Sequence, residues 1–108
     1  MKQSEYLEKH IFTDLKNLND GFDDESNFYF SEADFETVLQ RVEYSGISIY
    51  KISPWLDGKA YEVSSHEDFN KKATDPRWYK KAFLTLKMSQ EGLLYSASYK
   101  VSNKLLAR

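Results

Sequence analysis

Ile47-Ser48-Ile49-Tyr50-Lys51-Ile52-Ser53-Pro54-Trp55-Leu56-Asp57-Gly58-Lys59-Ala60-Tyr61-Glu62-Val63-Ser64 is the stretch on which the fold turns. Two runs of β-branched and aromatic residues flank Asp57-Gly58, a dipeptide that suits a two-residue type I′ turn because both positions need positive φ. The reading is an antiparallel hairpin of residues 47–56 and 59–64. Pairing outward from the turn sets Pro54 opposite Tyr61 and Ile52 opposite Val63, so that Tyr50, Ile52, Tyr61 and Val63 share one face and Trp55 lies on the other. Pro54 has no N–H for the ladder, which points to an edge strand or a bulge. A bulge there would shift the register and return Trp55 to the core.

Towards the C-terminus, Ala82, Leu84, Leu86 and Met88 alternate with partly polar residues, and Tyr95, Ala97, Tyr99 and Val101 alternate with Ser96, Ser98 and Lys100. A loop over residues 89–92 would set Leu86 opposite Tyr95, Leu84 opposite Ala97 and Ala82 opposite Tyr99, so the apolar faces coincide and a second hairpin is expected. Its other face, with Thr85, Lys87, Ser96, Ser98 and Lys100, is wet. Between the hairpins, residues 65–74 read as a short helix or turn around Phe69. Asp75-Pro76 reads as a helix cap and first-turn proline leading into residues 77–81.

Towards the N-terminus, Leu7, Ile11, Leu15 and Leu18, with Phe12 alongside, predict a helix over residues 6–18. Turn formers and like charges over residues 19–27 end it. Ser31 and Asp34 form a capping arrangement before Phe35, Val38, Leu39 and Val42, which predict a second helix closed by Gly46. The expected architecture is one α+β domain over residues 1–108: an antiparallel sheet of about four strands, in two hairpins, packed on one face by two N-terminal helices.

The chain of 108 residues is 41% hydrophobic and 30% charged, enough to fold on one core without staples. With no cysteine, disulfides, thiolate chemistry and cysteine zinc sites are excluded, and a reducing cytoplasm is the expected home. No apolar run approaches membrane-spanning length, and residues 1–5 lack the character of a secretion signal. Charge is unevenly placed. Residues 1–45 hold 4 Lys or Arg against 11 Asp or Glu, net −7, and residues 46–108 hold 11 against 6, net +5. The run from Asp20 to Glu36 has seven carboxylates and no Lys or Arg, interleaved with Phe22, Phe28, Tyr29, Phe30 and Phe35.

Catalytic chemistry finds little to work with. His10 and His66 are the two histidines, neither beside a nucleophile in sequence, and both read as surface or packing residues. The acidic loop lacks the ligand spacing of a calcium loop, so neither metal nor cofactor is expected. Carboxylates at Glu32, Asp34 and Glu36 suit the positive end of the second helix. Lys71, Lys72, Arg77, Lys80 and Lys81 around Trp78 and Tyr79 hold the ingredients of nucleic-acid contact, but the acidity of the first half disfavours it. A sheet lined by Tyr50, Tyr61, Tyr95 and Tyr99 is the alternative, a small-molecule pocket.

The remaining reading is a non-catalytic protein-binding domain, monomeric or a weak homodimer, that meets a basic partner. Asp23, Asp24, Glu25, Glu32 and Glu36 would pair with Lys or Arg, and Phe22, Tyr29 and Trp55 would supply ring contacts. In its size, its lack of cysteine, its acidic and aromatic segment 20–36 and its absence of catalytic motifs, the chain resembles the small cytoplasmic immunity proteins that bacteria keep beside their toxins. That resemblance implies a nuclease toxin as the basic partner.

Overall fold

The computed structural model describes residues 1–107, an α+β fold in which α-helices pack on a four-stranded antiparallel sheet. Helix α1 (Gln3–Tyr6) runs into a π-helical turn, Leu7–Ile11, where the Phe12 N–H donates to the Leu7 carbonyl five residues back at 2.7 Å. Leu7, Ile11 and Phe12 are buried as expected. The predicted helix over 6–18, however, stops at Ile11. Asp14 adopts φ +66°, a left-handed conformation that no L-residue helix continues through. Arg41, about thirty residues further along the chain, donates from Nη1 to the carbonyls of Ile11 at 2.9 Å and Thr13 at 2.7 Å, so the helix end is satisfied from outside. Leu15 packs against the core from this non-helical chain.

Helix α2 (Glu32–Ser45) begins at Ser31, whose Oγ accepts from the Asp34 N–H at 3.2 Å, and ends at Gly46, at φ +73°. Its Phe35, Val38, Leu39 and Val42 are buried. Strand β1 (Ser48–Leu56) is the centre of the sheet. Strands β2 (Lys59–Ala60) and β3 (Ser64–Ser65) pair with one side of it, and β4 (Leu94–Lys100) with the other, all antiparallel. The turn is as predicted, with Asp57 at φ +47° and Gly58 at φ +82°.

Pro54 explains why the returning chain is split into two short strands. Its carbonyl accepts from the Tyr61 N–H at 2.9 Å, but it has no N–H to give back. Pairing lapses after Ala60 and resumes with Ile52 opposite Ser64, one residue away from the expected Val63. On the β4 side a second irregularity falls between Ile49 and Lys51. It brings Ile49 onto the buried side with Ile52 and Pro54 and leaves Tyr50 41% exposed, while the pairing of Ile52 with Ser64 leaves Val63 52% exposed instead of sharing the core face.

The second hairpin is not there. Residues 82–88 belong to α3 (Pro76–Ser89), capped by Asp75, whose Oδ1 accepts from the Arg77 N–H at 2.9 Å. Trp78, Tyr79, Ala82, Phe83 and Leu86 are buried at helical spacing, whereas Leu84 is 49% and Met88 78% exposed. β4 pairs with β1 instead, setting Tyr95 opposite Pro54, Ala97 opposite Ile52 and Tyr99 opposite Ile49. The core face is therefore covered by α2, the second of the two N-terminal helices expected there, together with α3 in place of the first. Phe35 of α2 and Phe83 of α3 both meet Tyr95 of β4, at centroid distances of 5.3 and 5.0 Å. The first helical segment rests against α2, and a short helix α4 (Asn103–Leu106) adds Leu105 and Leu106 at the margin of the core.

Candidate functional site

On the other face of the sheet lies the acidic loop, and its shape comes from its asparagines first and then from two of its carboxylates. Asn19 Oδ1 accepts from the N–H groups of Gly21 at 3.1 Å and Asp23 at 3.4 Å. Its Nδ2 donates to the carbonyls of Asp23 at 3.3 Å, Asp24 at 2.9 Å and Asn27 at 2.9 Å. Asn17 Oδ1 accepts from the N–H groups of Asn19 and Tyr29, each at 3.0 Å, so the start and end of the loop share one side chain. Short polar side chains that bond nearby backbone are the ordinary makers of such turns.

Two of the carboxylates are fixed within this frame. Asp23 Oδ2 accepts from the Tyr29 hydroxyl at 2.7 Å and from Asn27 Nδ2 at 3.1 Å, while Asp24 Oδ1 accepts from the N–H and hydroxyl of Ser26 at 2.9 and 2.7 Å. Both carboxyls are held below the ordinary aspartate range. The cause is foremost the Tyr29 hydroxyl for Asp23 and the Ser26 N–H for Asp24, because donors to the ionised form favour it. Burial, and then the bond to Asp23, push the Tyr29 hydroxyl up. Among the described residues the two ion pairs are Arg77–Asp75 at 2.7 Å and Lys80–Glu43 at 2.6 Å. Neither involves the loop.

The three rings expected to contact a partner come together, though not as equals. Phe22 lies 4.9 Å from Tyr29 and 4.9 Å from Trp55, stacking on the latter, and Tyr29 lies 6.0 Å from Trp55. Phe22 and Trp55 are half-buried, but Tyr29 is 3% exposed. Tyr29 therefore offers no surface to a partner and positions Asp23 from beneath. Trp55 stays off the core face. Glu25 is exposed beside Asp24 in the loop. Glu32 and Glu36 are exposed on α2, across the core face, so the predicted carboxylates are divided between two elements on opposite sides of the sheet.

The other candidate constellations divide as well. His66 Nδ1 bonds the Lys71 carbonyl at 2.8 Å, and His10 packs on Tyr6 at 4.6 Å. Among the described residues no group of three His, Asp or Glu converges as a metal set would. Of the basic cluster, Arg77 and Lys80 are spent on Asp75 and Glu43, and Trp78 and Tyr79 are each 1% exposed. These rings are closed to base stacking. Tyr95 is in the core, Tyr61 and Tyr99 pack against it, and Tyr50 points outward, so the four tyrosines do not line one concavity. Sequence reasoning passed over Asn17, read Asn19 only as a turn former, and passed over Gln3; their side-chain bonds give the loop and the β4 edge their form. The run Asn17-Leu18-Asn19-Asp20-Gly21 was the available signal for the first two.

The chain matches no family model, no curated protein and no solved structure. Among the described residues no helix is long and apolar enough to cross a membrane.

Proposed function

We propose that this chain is a non-catalytic protein-binding domain of the inhibitor or immunity type, which sets its acidic loop on a basic partner such as a nuclease toxin. The supporting observation is that the loop is prebuilt and uncompensated. Asn19 ties five of its backbone groups, Asp23 and Asp24 are held ionised, and no cation among the described residues pairs with them. A surface that is ordered before binding loses less entropy on association, and unpaired like charges raise the encounter rate with an oppositely charged protein. Phe22 and Trp55, half-buried against each other, border the carboxylates and supply apolar area. Glu32 and Glu36 contribute to the field of the acidic half, and direct pairing is assigned to Asp23, Asp24 and Glu25.

The test is capture of partners by immobilised wild-type protein and by the triple variant Asp23→Asn, Asp24→Asn, Glu25→Gln, at low and high salt. The expected result is a basic protein held by the wild type at low salt, released as salt rises and absent from the variant, whose own activity falls when the wild type is added. Retention that is equal on both baits, or indifferent to salt, removes the acidic loop from the account.

A further inference from the structure

Strand β4 carries Tyr95, Ala97 and Tyr99 on one alternation, so their main-chain N–H and C=O groups point to the same edge, away from β1. Tyr95 is completed there by Phe30, which exchanges two hydrogen bonds of 2.8 Å with it. The far end is completed by a side chain. Gln3 Nε2 donates to the Tyr99 carbonyl at 3.1 Å and Gln3 Oε1 accepts from the Val101 N–H at 2.9 Å, a carboxamide standing where a neighbouring strand would place a peptide group.

Ala97 falls between these two and is reached by neither. Continued antiparallel from Phe30 opposite Tyr95, the chain would set Phe28 opposite Ala97. Instead it leaves the sheet, because the Asn27 N–H turns back to the Asp24 carbonyl at 2.9 Å and Ser26 is held by Asp24. That departure opens a notch of about 310 Å³, lined among others by Gln3, Phe12, Ser26, Phe28, Ala97 and Tyr99. Phe12 and Phe28, stacked at 5.0 Å, form one wall.

We propose that this notch is a strand-addition site, in which an extended segment of the basic partner pairs its main chain with Ala97 while a Lys or Arg side chain reaches Asp24. The edge already accepts peptide-like groups on both flanks of the gap, which identifies the missing group as a third. The charge of the occupant follows from Asp24, whose carboxylate holds the Ser26 wall. This part rests on the function proposed above. Recognition through main-chain bonds tolerates side-chain identity, so a generic extended peptide is a fair probe.

The experiment titrates ¹⁵N-labelled protein with N-acetyl-Arg-Val-Arg-amide, whose Arg side chains alternate to the face opposite Ala97, where the acidic loop lies, with the same peptide N-methylated at its central residue, and with N-acetyl-Glu-Val-Glu-amide, following amide shifts. All changes are made in the peptide, so the protein's folding is not at stake. The expected result is movement of Ala97, Tyr99 and Phe28, about tenfold weaker binding on loss of the one N–H, and weaker binding of the Glu peptide. No movement at Ala97 with any peptide at millimolar concentration, or indifference to N-methylation, overturns the site. Movement at Ala97 with equal affinity for the Arg and Glu peptides keeps the notch as a strand-addition site and removes the acidic loop from the proposed function.

Discussion

The two faces of the β1–β4 sheet are held by different physics. On one, Ile49, Ile52 and Tyr95 cluster with Phe35, Val38, Phe83 and Leu86 of the helices, and stability comes from apolar area removed from water. On the other, Trp55 meets Phe22 and Tyr29 under a loop whose order comes from directional bonds to Asn17, Asn19 and Asp23. The difference teaches where the fold and the recognition surface are separately adjustable. Changes on the helical face should move global stability and leave the loop's form alone. Changes on the loop face should do the reverse.

The largest expected effect breaks the first half of that statement if it fails. Phe35 is fully buried between Phe83 and Tyr95, and Phe35→Ala should cost about 3–5 kcal/mol, measured by denaturant unfolding. That is a large share of the roughly 5–15 kcal/mol that holds a domain together. A cost below about 1 kcal/mol would mean that the helices do not bear on the sheet through this ring cluster.

How much of this could be read from the residues depends on whether the deciding chemistry was local. Asp57-Gly58, Ser31 with Gly46, and Asp75-Pro76 each act through their own φ preference or their own side-chain oxygen, and each stands where the sequence placed it. α3 was legible at its start and lost at residue 82. Ala82 and Leu86 are four apart, a spacing that satisfies a strand face and a helix face equally. The choice lay with Phe83, which turns inward to Tyr95, and with Leu84 and Met88, which turn out. Nothing within 82–88 announces that. The N-terminal helix ends earlier than its spacing predicts for the converse reason: the spacing is right about burial of Leu7 and Ile11, but Arg41, thirty residues away from Ile11, satisfies the carbonyls where the backbone turns off. The acidity of the loop was plain, while the inward position of Tyr29 was not. It follows from the bridge between Phe30 and Tyr95, which turns Phe30 into the core and its neighbour to the opposite face.

A middle-sized effect sharpens the second half of the comparison. Asn19→Ala removes one acceptor and one donor that together serve five backbone groups of the loop. The expected cost is about 1–2 kcal/mol, smaller than that at Phe35. Its signature is local: amide exchange of residues 21–27 should quicken while that of Ile49, Ile52 and Tyr95 keeps pace with the small change in global stability. Equal quickening on both faces would show that the loop and the core unfold as one unit.

The smallest effect probes a single bond. The Tyr29 hydroxyl is the foremost reason that Asp23 ionises below the ordinary aspartate range. A carboxyl whose pKa is lowered by folding adds stability above its unfolded pKa, and that stability is lost as pH falls through the folded value. Tyr29→Phe keeps the ring against Phe22 and Trp55 and deletes only the donor, so the Asp23 pKa should rise towards 3.8 and the loop should loosen at a higher pH than in the wild type. Carboxyl ¹³C titration by NMR reads this directly. An Asp23 pKa unchanged in the variant would move the control of this carboxylate to Asn27 and the Asp24 N–H, and would leave Tyr29 as a ring that fills space beneath the loop without steering its charge.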